Sequence, residues 1–473
     1  MLKTLAGVGV SMLALAAPAE AQFAQQGPKL VGTGATGDAE QGHSVSLSGD
    51  GNTGIIGGPS DNNDAGAAWV YTRSGGAWTQ QAKLVGTPEI CGPSQRCTES
   101  QGFSVALSAD GNTAIVGGVG ECFCSTAWVF TLTGGVWTQQ AELVGGFTGE
   151  FSVIRPPYSV ALSSDGSTAI VGVPFGLVEF DGGNFARGAA WVFARVGGIW
   201  SQQATLLDTS NPPNGLQGFS VALSADGNTA IVGVPLDGIF IDFPKSSPFP
   251  PPGAASVWTR SGGVWNQQAK LVGIGGDNAE QGTSVSLSSD GNTAIVGGSS
   301  DNNGAGAVWV YTPANGVWTQ QGPKLVGTGA LGNAGQGASA SLSGDGNTAI
   351  VGGSSDNDEA GAAWVFTRSE GVWSQQILVG TGAVGASEQG FSVALSANAS
   401  TAMVGGPCDN NDAGAAWVFS EFVFPGTPGT PSCVGQRTSA IGRQYGGLNG
   451  AAAALGFPSV GALQDAIMAF CAG

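Results

Sequence analysis

The strongest constraint on the fold is internal repetition. The stretch QGFSVALSADGNTAIVGGVGECFCSTAWVFTLTGGVWTQQAELV at 101–144 recurs with edits along nearly the whole chain of 473 residues. The repeats are spaced by 53 to 64 residues between successive turn residues Asp50, Asp110, Asp165, Asp226, Asp290, Asp345 and, in a degenerate copy, Asn398. Seven copies of a unit of this length predict a solenoid or a propeller.

Each repeat predicts one four-stranded antiparallel sheet, as the second repeat illustrates. Residues 103–107 alternate large and small side chains, the period of a strand with two unlike faces, here named strand a. The turn at 108–113 contains Asp, Gly and Asn, which favour a tight hairpin into strand b at 114–118. Strand c follows at 127–130 and strand d at 136–143. Seven such sheets favour an all-β, seven-bladed β-propeller of four-stranded antiparallel blades.

The two chain ends predict how the ring closes. The last repeat stops after strand c, whereas residues 23–32 near the N-terminus closely match 318–327, which include strand d of the fifth repeat. We therefore expect the N-terminal strand to complete the last blade, with Phe23 at the usual Trp position. Closure would remove the exposed strand edge of an open array. The thirteen Trp residues fall in predicted strands c and d, as expected for aromatic packing between blades.

The repeat resembles a known family. The segments QGFSVALSxDGNTAIVGG, DNNDAGAAWVFTRSGG and VWTQQAKLVG are similar to the FG-GAP repeat in its bacterial form, across residues 22–424. The resemblance implies an integrin-alpha-like seven-bladed propeller, extracellular placement and recognition through loops on one face. In that family a calcium hairpin with alternating acidic residues joins strands a and b. This chain has only the Asp110-Gly111-Asn112-Thr113 turn there.

The regions outside the repeats predict an exported protein. Residues 1–21 read as a secretory signal peptide, with Lys3, an apolar run at 5–17 and a small-residue cleavage site. The propeller is expected at 22–424, a Pro/Gly/Thr linker at 425–432 and a small helical tail at 433–473. The expected location is secreted, periplasmic or at the cell surface, and no other segment is apolar enough to span a membrane.

Charge and cysteine content narrow the partners and the redox environment. The net charge of -18 disfavours nucleic acid and anionic membranes. Cysteines in an exported chain predict disulfides, and Cys408 is left as the odd one of seven. Cys433 and Cys471 are expected to staple the tail. The remaining disulfide candidates are Cys91, Cys97, Cys122 and Cys124. We expect them to pair among themselves; the alternative is that the Cys-x-Cys at 122–124 holds a metal or exchanges thiols.

Acidic b–c loops suggest a metal. Four of these loops carry Asp and Asn side chains, whose oxygens suit calcium. The alternative is that Asp and Asn before Ala-Gly-Ala only form turns. The candidate calcium ligands are Asp61, Asp64, Asp301, Asp356, Asp358, Asp409 and Asp412.

Two other b–c loops are rich in Phe. In the third and fourth repeats these loops are long and apolar, so they predict a binding patch for a sugar or a protein. The alternative is that they pack on each other and cap the propeller. The candidate ligand-binding residues are Phe175, Phe180, Phe185, Phe240, Phe243 and Phe249.

No catalytic constellation stands out. His43 is the only His and occupies an ordinary repeat position, and Glu179, Asp181 and Asp242 are the conceivable acid and base. We therefore expect an exported, non-catalytic binding or adhesion propeller, monomeric, that recognises an extracellular protein or glycan. The alternatives are a carbohydrate-active hydrolase or lyase and a surface-structural protein. The lining of the axial mouth separates them: small residues favour binding or structure, and clustered carboxylates favour catalysis.

Overall fold

The structure is a computed structural model. The polypeptide divides into two compact units, one of which is Phe23–Glu421, and the other contains Phe422–Gly473. The residues that the structure describes are 22–87, 99–119, 126–145, 158–175, 177–180, 183–186, 188–208, 215–237, 252–422, 433–444, 447–450 and 459–472.

The first unit is a seven-bladed β-propeller, as predicted. Each blade is a four-stranded antiparallel sheet in which strands a, b, c and d are neighbours in that order. The first four blades comprise Ser44–Leu47, Thr53–Gly58, Ala67–Ser74 and Ala77–Leu84; Gln101–Leu107, Thr113–Gly118, Thr126–Thr133 and Val136–Val144; Ser159–Leu162, Thr168–Val173, Ala189–Val196 and Ile199–Leu206; Val221–Leu223, Thr229–Val234, Ala254–Ser261 and Val264–Leu271.

The N-terminal strand closes the ring, which confirms the prediction from the chain ends. Gln22–Gln25 is strand d of blade 7 and lies beside Ala415–Phe422. Further along, Leu30 N donates to Ala416 O at 2.7 Å, and the Phe23 side chain is buried. Blades 5 to 7 comprise Ser284–Leu287, Ala294–Gly298, Ala307–Ala314 and Val317–Gln320; Ser339–Leu342, Thr348–Gly353, Ala362–Ser369 and Val372–Leu378; Ser392–Leu395, Thr401–Gly406, Ala415–Phe422 and Gln22–Gln25.

Tryptophans of strand c fill the core between blades. Trp69, for example, is fully buried and packs with Met403 and Val418 of blade 7. Its indole N–H donates to Thr33 O at 3.0 Å, so the ring is buried with its polar atom satisfied. The equivalent fully buried side chains in other blades are Trp128, Trp191, Trp309, Trp364 and Trp417.

Strand a is the inner edge of each blade, and serine hydroxyls satisfy part of that edge. Ser44 Oγ donates to Gly102 O of the next blade at 2.7 Å, and Ser46 Oγ accepts from Leu107 N at 3.2 Å. The blades approach so closely here that a Cβ on Gly57 would lie 2.0 Å from Gly102 O. Neighbouring inner strands are therefore joined by side-chain hydrogen bonds across glycine contacts.

The two ends of the propeller differ. The a–b turns meet at one end, where backbone hydrogen bonds such as Gly49 N to Ala109 O, 2.9 Å, link successive blades. The b–c and d–a loops meet at the other end, here called the loop face. There each described b–c loop bridges to the start of the next strand a, as Gly66 does with Gln101. The b–c loop of blade 3 contains an unpredicted hairpin, Leu177–Phe180 with Gly183–Ala186.

The C-terminal unit contains two described helices, Cys433–Gln444 and Val460–Ala472. A disulfide joins Cys433 and Cys471, whose Cα atoms are 5.7 Å apart, which confirms the predicted staple. Leu463 and Ile467 are buried on one helix face. Among the described helices, none is both long and apolar enough to cross a membrane. The candidates Cys91, Cys97, Cys122 and Cys124, the signal peptide and the linker lie outside the described residues.

Candidate binding site at the axial mouth

The propeller axis contains a cavity of about 310 Å³. Strand a of every blade lines it, and all of the lining residues are Val, Leu, Ala, Ser or Gly, with Ser46, Ala106 and Ser341 as examples. No titratable side chain is among them.

Aromatic side chains lie at the loop-face end of strand a, beyond the residues that line this cavity. The residue just before the first serine of the strand a motif, which is Ser44 in blade 1, is aromatic in five consecutive blades, 7, 1, 2, 3 and 4, and these rings form a continuous row. Successive ring centroids are 4.9, 4.5, 4.9 and 4.5 Å apart. We call this row the aromatic crescent: Phe391, His43, Phe103, Tyr158 and Phe219.

The crescent is open on one side. In blades 5 and 6 the equivalent residues are the smaller Thr283 and Ala338. Phe391, at one end of the row, is 36% exposed, whereas the other rings are partly buried by their neighbours. Aromatic faces with an adjacent gap form an apolar surface that is accessible from the loop face.

His43 is neutral at physiological pH. Burial among the rings lowers its pKa to about 4, and the carbonyl of Phe103 lies 3.2 Å from Nδ1. A neutral imidazole that hydrogen bonds to the backbone here behaves as one more aromatic ring. The residue therefore belongs to the crescent, as its repeat position suggested.

Carboxylates flank the crescent on blades 7 and 1. Glu40 immediately precedes the Gln-Gly before His43, and burial is the main cause of its raised pKa. The carboxylates of Asp412, Asp64 and Glu388 raise it further, against a hydrogen bond from Ser60.

Glu388 is in a similar position beside Phe391. Burial is the largest cause of its raised pKa. The carboxylates of Glu359 and Asp412 raise the pKa further, whereas a hydrogen bond with Cys408 lowers it. Burial and these carboxylates also raise the pKa of the Cys408 thiol to about 12. This side of the loop face therefore carries carboxylates that raise one another's pKa and a protonated thiol.

The first Asp of each acidic loop is buried and bonded within the protein. Asp61 Oδ1 accepts from Thr36 N at 2.7 Å, and Lys83 Nζ lies 2.6 Å from its other oxygen. Similar backbone bonds hold Asp301, Asp356 and Asp409, and Lys side chains pair with Asp301 and Asp409. These four residues begin the helical turns Asp61–Asp64, Asp301–Gly304, Asp356–Glu359 and Asp409–Asp412.

The later Asp residues of these loops are exposed. Asp64, Asp358 and Asp412 have positive φ of 62°, 55° and 63°, a region that Asn and Asp tolerate. Within the described ranges, no group of three or more His, Cys, Asp or Glu is arranged to hold a metal ion. Calcium binding at these loops stays a prediction.

The predicted Phe patch is only partly within the described residues. Phe175 contacts Tyr158 edge-on at 6.0 Å and so extends the crescent. Phe180 and Phe185 lie on the additional hairpin, in a part where only the backbone is described. Phe240, Phe243 and Phe249 are outside the described residues, as is Asp242.

Sequence reasoning missed Tyr158, Glu40 and Glu388 as parts of one site. A signal was available, because the aromatic follows a Gln-Gly pair at a fixed position before strand a in most repeats. Blade 3 has no such pair before Tyr158, which hid its equivalence.

Comparisons with known proteins add little to this site. A solved structure of Kuenenia stuttgartiensis hydrazine synthase is similar to this chain, with a TM-score of 0.48 and 13% sequence identity. The similarity covers 79% of this chain and 95% of that chain. No protein-family model matches the chain, and no curated protein matches it. A likeness at this identity and TM-score carries no argument about function, so the class that the structure defines is the seven-bladed β-propeller.

Proposed function

We propose that this propeller is an exported, non-catalytic binding protein of the FG-GAP type that recognises an extracellular protein or glycan. The aromatic crescent carries the proposal. Five adjacent rings at an accessible mouth suit the apolar faces of sugars or the side chains of a protein. The cavity behind them presents no titratable side chain, which supports recognition rather than catalysis.

The test is a binding screen of residues 22–473 on an oligosaccharide array and with a phage-displayed peptide library. We expect Phe391→Ser and Phe219→Ser each to weaken binding at least tenfold. Val136→Ser is the matched control, because Val136 is 61% exposed on a c–d turn, at the end opposite the loop face. A ligand whose affinity is unchanged in both crescent variants would contradict the proposal.

A carbohydrate-active hydrolase or lyase is the second candidate. Glu40 and Glu388 favour it, because carboxyl groups with raised pKa beside an aromatic platform suit acid and base roles. If the protein releases new reducing ends from an array ligand, and Glu40→Gln and Glu388→Gln abolish this release, the hydrolase or lyase replaces the binding protein as the proposed function. Retention of the intact ligand favours the binding protein.

Calcium and export are separate proposals. Calcium at Asp64, Asp358 and Asp412 is tested by calorimetric unfolding of residues 22–473 with calcium and with chelator, since a ligand of the folded state raises its stability. An unchanged melting temperature would remove calcium from the proposal. Cell fractionation with N-terminal sequencing tests export, and a mature N-terminus at Gln22 is the expected result.

A further inference from the structure

Four blades share one ion pair at the base of the b–c loop. Three residues after the end of strand b, an Asp carboxylate pairs with a Lys ammonium of the same blade. The Lys lies in strand d in blades 1 and 4 and in the segment that follows strand d in blades 5 and 7. The Lys Nζ to Asp Oδ distances are 2.6 Å for Lys83 with Asp61, 2.8 Å for Lys270 with Asp237 and 2.5 Å for Lys324 with Asp301, and Lys29 pairs with Asp409. The repeat therefore includes a cation position as a recurring part.

Blade 6 has the Asp of this pair but not the Lys. Asp356 is 5% exposed and its Oδ1 accepts from Leu331 N at 2.6 Å, the counterpart of the bond to Asp61 in blade 1. Strand d of this blade is one residue shorter and lacks the bulge of blade 1. As a result, Ile377 pairs with Trp364 in the register that a Lys takes elsewhere.

The second oxygen of the Asp356 carboxylate lacks, among the described residues, the cation found in blades 1, 4, 5 and 7. In the part of the chain that the structure describes, no Lys or Arg nitrogen lies within 4.0 Å of that carboxylate. A carboxylate that is largely buried without a cation keeps only part of its stabilisation, and here Oδ1 alone has a described hydrogen-bond donor. By comparison with its sister blades, this position therefore suits a positive charge that no described residue supplies.

The atoms by which Ile377 is shorter than a Lys indicate which ligand would fit beside Asp356. An Ile side chain ends at Cδ1, whereas Lys continues through Cε to the Nζ ammonium. In blades 1 and 5 this ammonium also lies over the strand c indole, 5.1 Å from the Trp69 ring for Lys83 and 5.9 Å from the Trp309 ring for Lys324. Trp364 is equally buried without a Lys, so its indole face is already covered and a cation in blade 6 would meet the carboxylate.

We propose that blade 6 binds a primary ammonium group from outside the chain at the Asp356 carboxylate. The group is a small free amine or the tip of a lysine side chain, which share the N–H donors and charge of Lys Nζ. The ammonium donates to the carboxylate oxygen that does not accept from Leu331 N. This site is distinct from the crescent and does not depend on the function proposed for it.

The test is calorimetric unfolding of residues 22–473 in methylammonium chloride and in tetramethylammonium chloride at equal ionic strength. Methylammonium is expected to raise the melting temperature by about 1–2 °C at tenfold excess over its Kd. Tetramethylammonium has no N–H donor and is expected to give no rise. Nα-acetyl-lysine amide distinguishes the sources: stabilisation by it assigns the site to lysine tips, and stabilisation by methylammonium alone assigns it to free amines.

Two matched variants keep the test independent of folding defects. Ile377→Lys supplies the missing ammonium, so it should raise the melting temperature without amine and abolish the methylammonium response. Lys324→Ile creates the same vacancy in blade 5, so it should lower the melting temperature and enlarge the response. Asp356→Asn should remove the response of blade 6. Equal methylammonium responses in wild type and Ile377→Lys, or no response in wild type, would overturn the proposal.

Discussion

Two tyrosines bury hydroxyl groups that the fold does not use. Tyr71 and Tyr311 lie in strand c at a position that is Phe in blade 6, and no described residue forms a hydrogen bond with either hydroxyl. Burial of an unpaired hydroxyl costs about 1–3 kcal/mol. We expect Tyr71→Phe and Tyr311→Phe to equal or exceed wild type in denaturant unfolding. The reverse change, Phe366→Tyr, should destabilise by a similar amount, and stabilisation by it would contradict this account.

His43 makes the stability depend on pH. Its pKa is about 4 in the folded protein against an ordinary value of 6.5, so the unfolded chain binds the proton first as pH falls. The contribution of His43 to the free energy of unfolding is complete above pH 6.5, and it decreases by about 3 kcal/mol as the pH falls to 4. His43→Phe removes this group and restores the Phe of other repeats. Melting temperatures at pH 7.5 and 4.5 should therefore differ less in His43→Phe, and equal differences would refute the assignment.

At the scale of the strand, inter-blade glycines set how closely the inner strands approach. A Cβ on Gly352 would lie 1.9 Å from Gly390 O, whereas one on Gly117 would lie 3.1 Å from a methyl of Val160. Backbone cannot yield as a methyl group does, so Gly352→Ala should cost about 3 kcal/mol and Gly117→Ala less than about 1 kcal/mol. Denaturant unfolding measures both, and similar losses would show that the close contact is not the cause.

Strands were more predictable than loops, for a physical reason. Strand a at 103–107 and strand b at 114–118 follow from alternation and turn residues, and the structure extends each by only one or two residues, to Gln101–Leu107 and Thr113–Gly118. The pairing of Asp61 with Lys83 depends on tertiary register, which local pattern does not encode. The regular Lys of the strand d motif was the available signal.

At the scale of the whole molecule, repetition predicted the ring but not its site. Seven similar blades fix the architecture, and the duplicated strand d at 23–32 fixes the closure. The crescent depends instead on where the repeats differ. The row of rings ends at Phe391 and Phe219, because the next two blades have the smaller Thr283 and Ala338 at the same position. Single-repeat reasoning treats such differences as noise. Only the circular arrangement shows that the five aromatic positions are adjacent.

Because the N-terminal strand closes the ring, we expect its removal to cause a large loss of stability. A chain of residues 32–422 lacks buried Phe23 and Leu30 and the Lys29 pair with Asp409, and it exposes the edge of Ala415–Phe422. Burial of the two apolar side chains alone contributes about 4 kcal/mol. Compared with residues 22–422, the truncated chain should melt at lower temperature and associate through the open edge, as calorimetry and light scattering would show.

A permuted chain tests whether closure itself is the cause. Residues 22–31 attached after Phe422 through a short glycine linker would supply the same strand from the other side, as the c–d hairpins of the other blades do. We expect this permutant to recover most of the melting temperature of residues 22–422 and to remain monomeric. If it melts as low as the truncated chain, the N-terminal segment stabilises the propeller by another route. Recovery of the melting temperature would establish that the blade requires the strand and that either terminus of the chain can provide it.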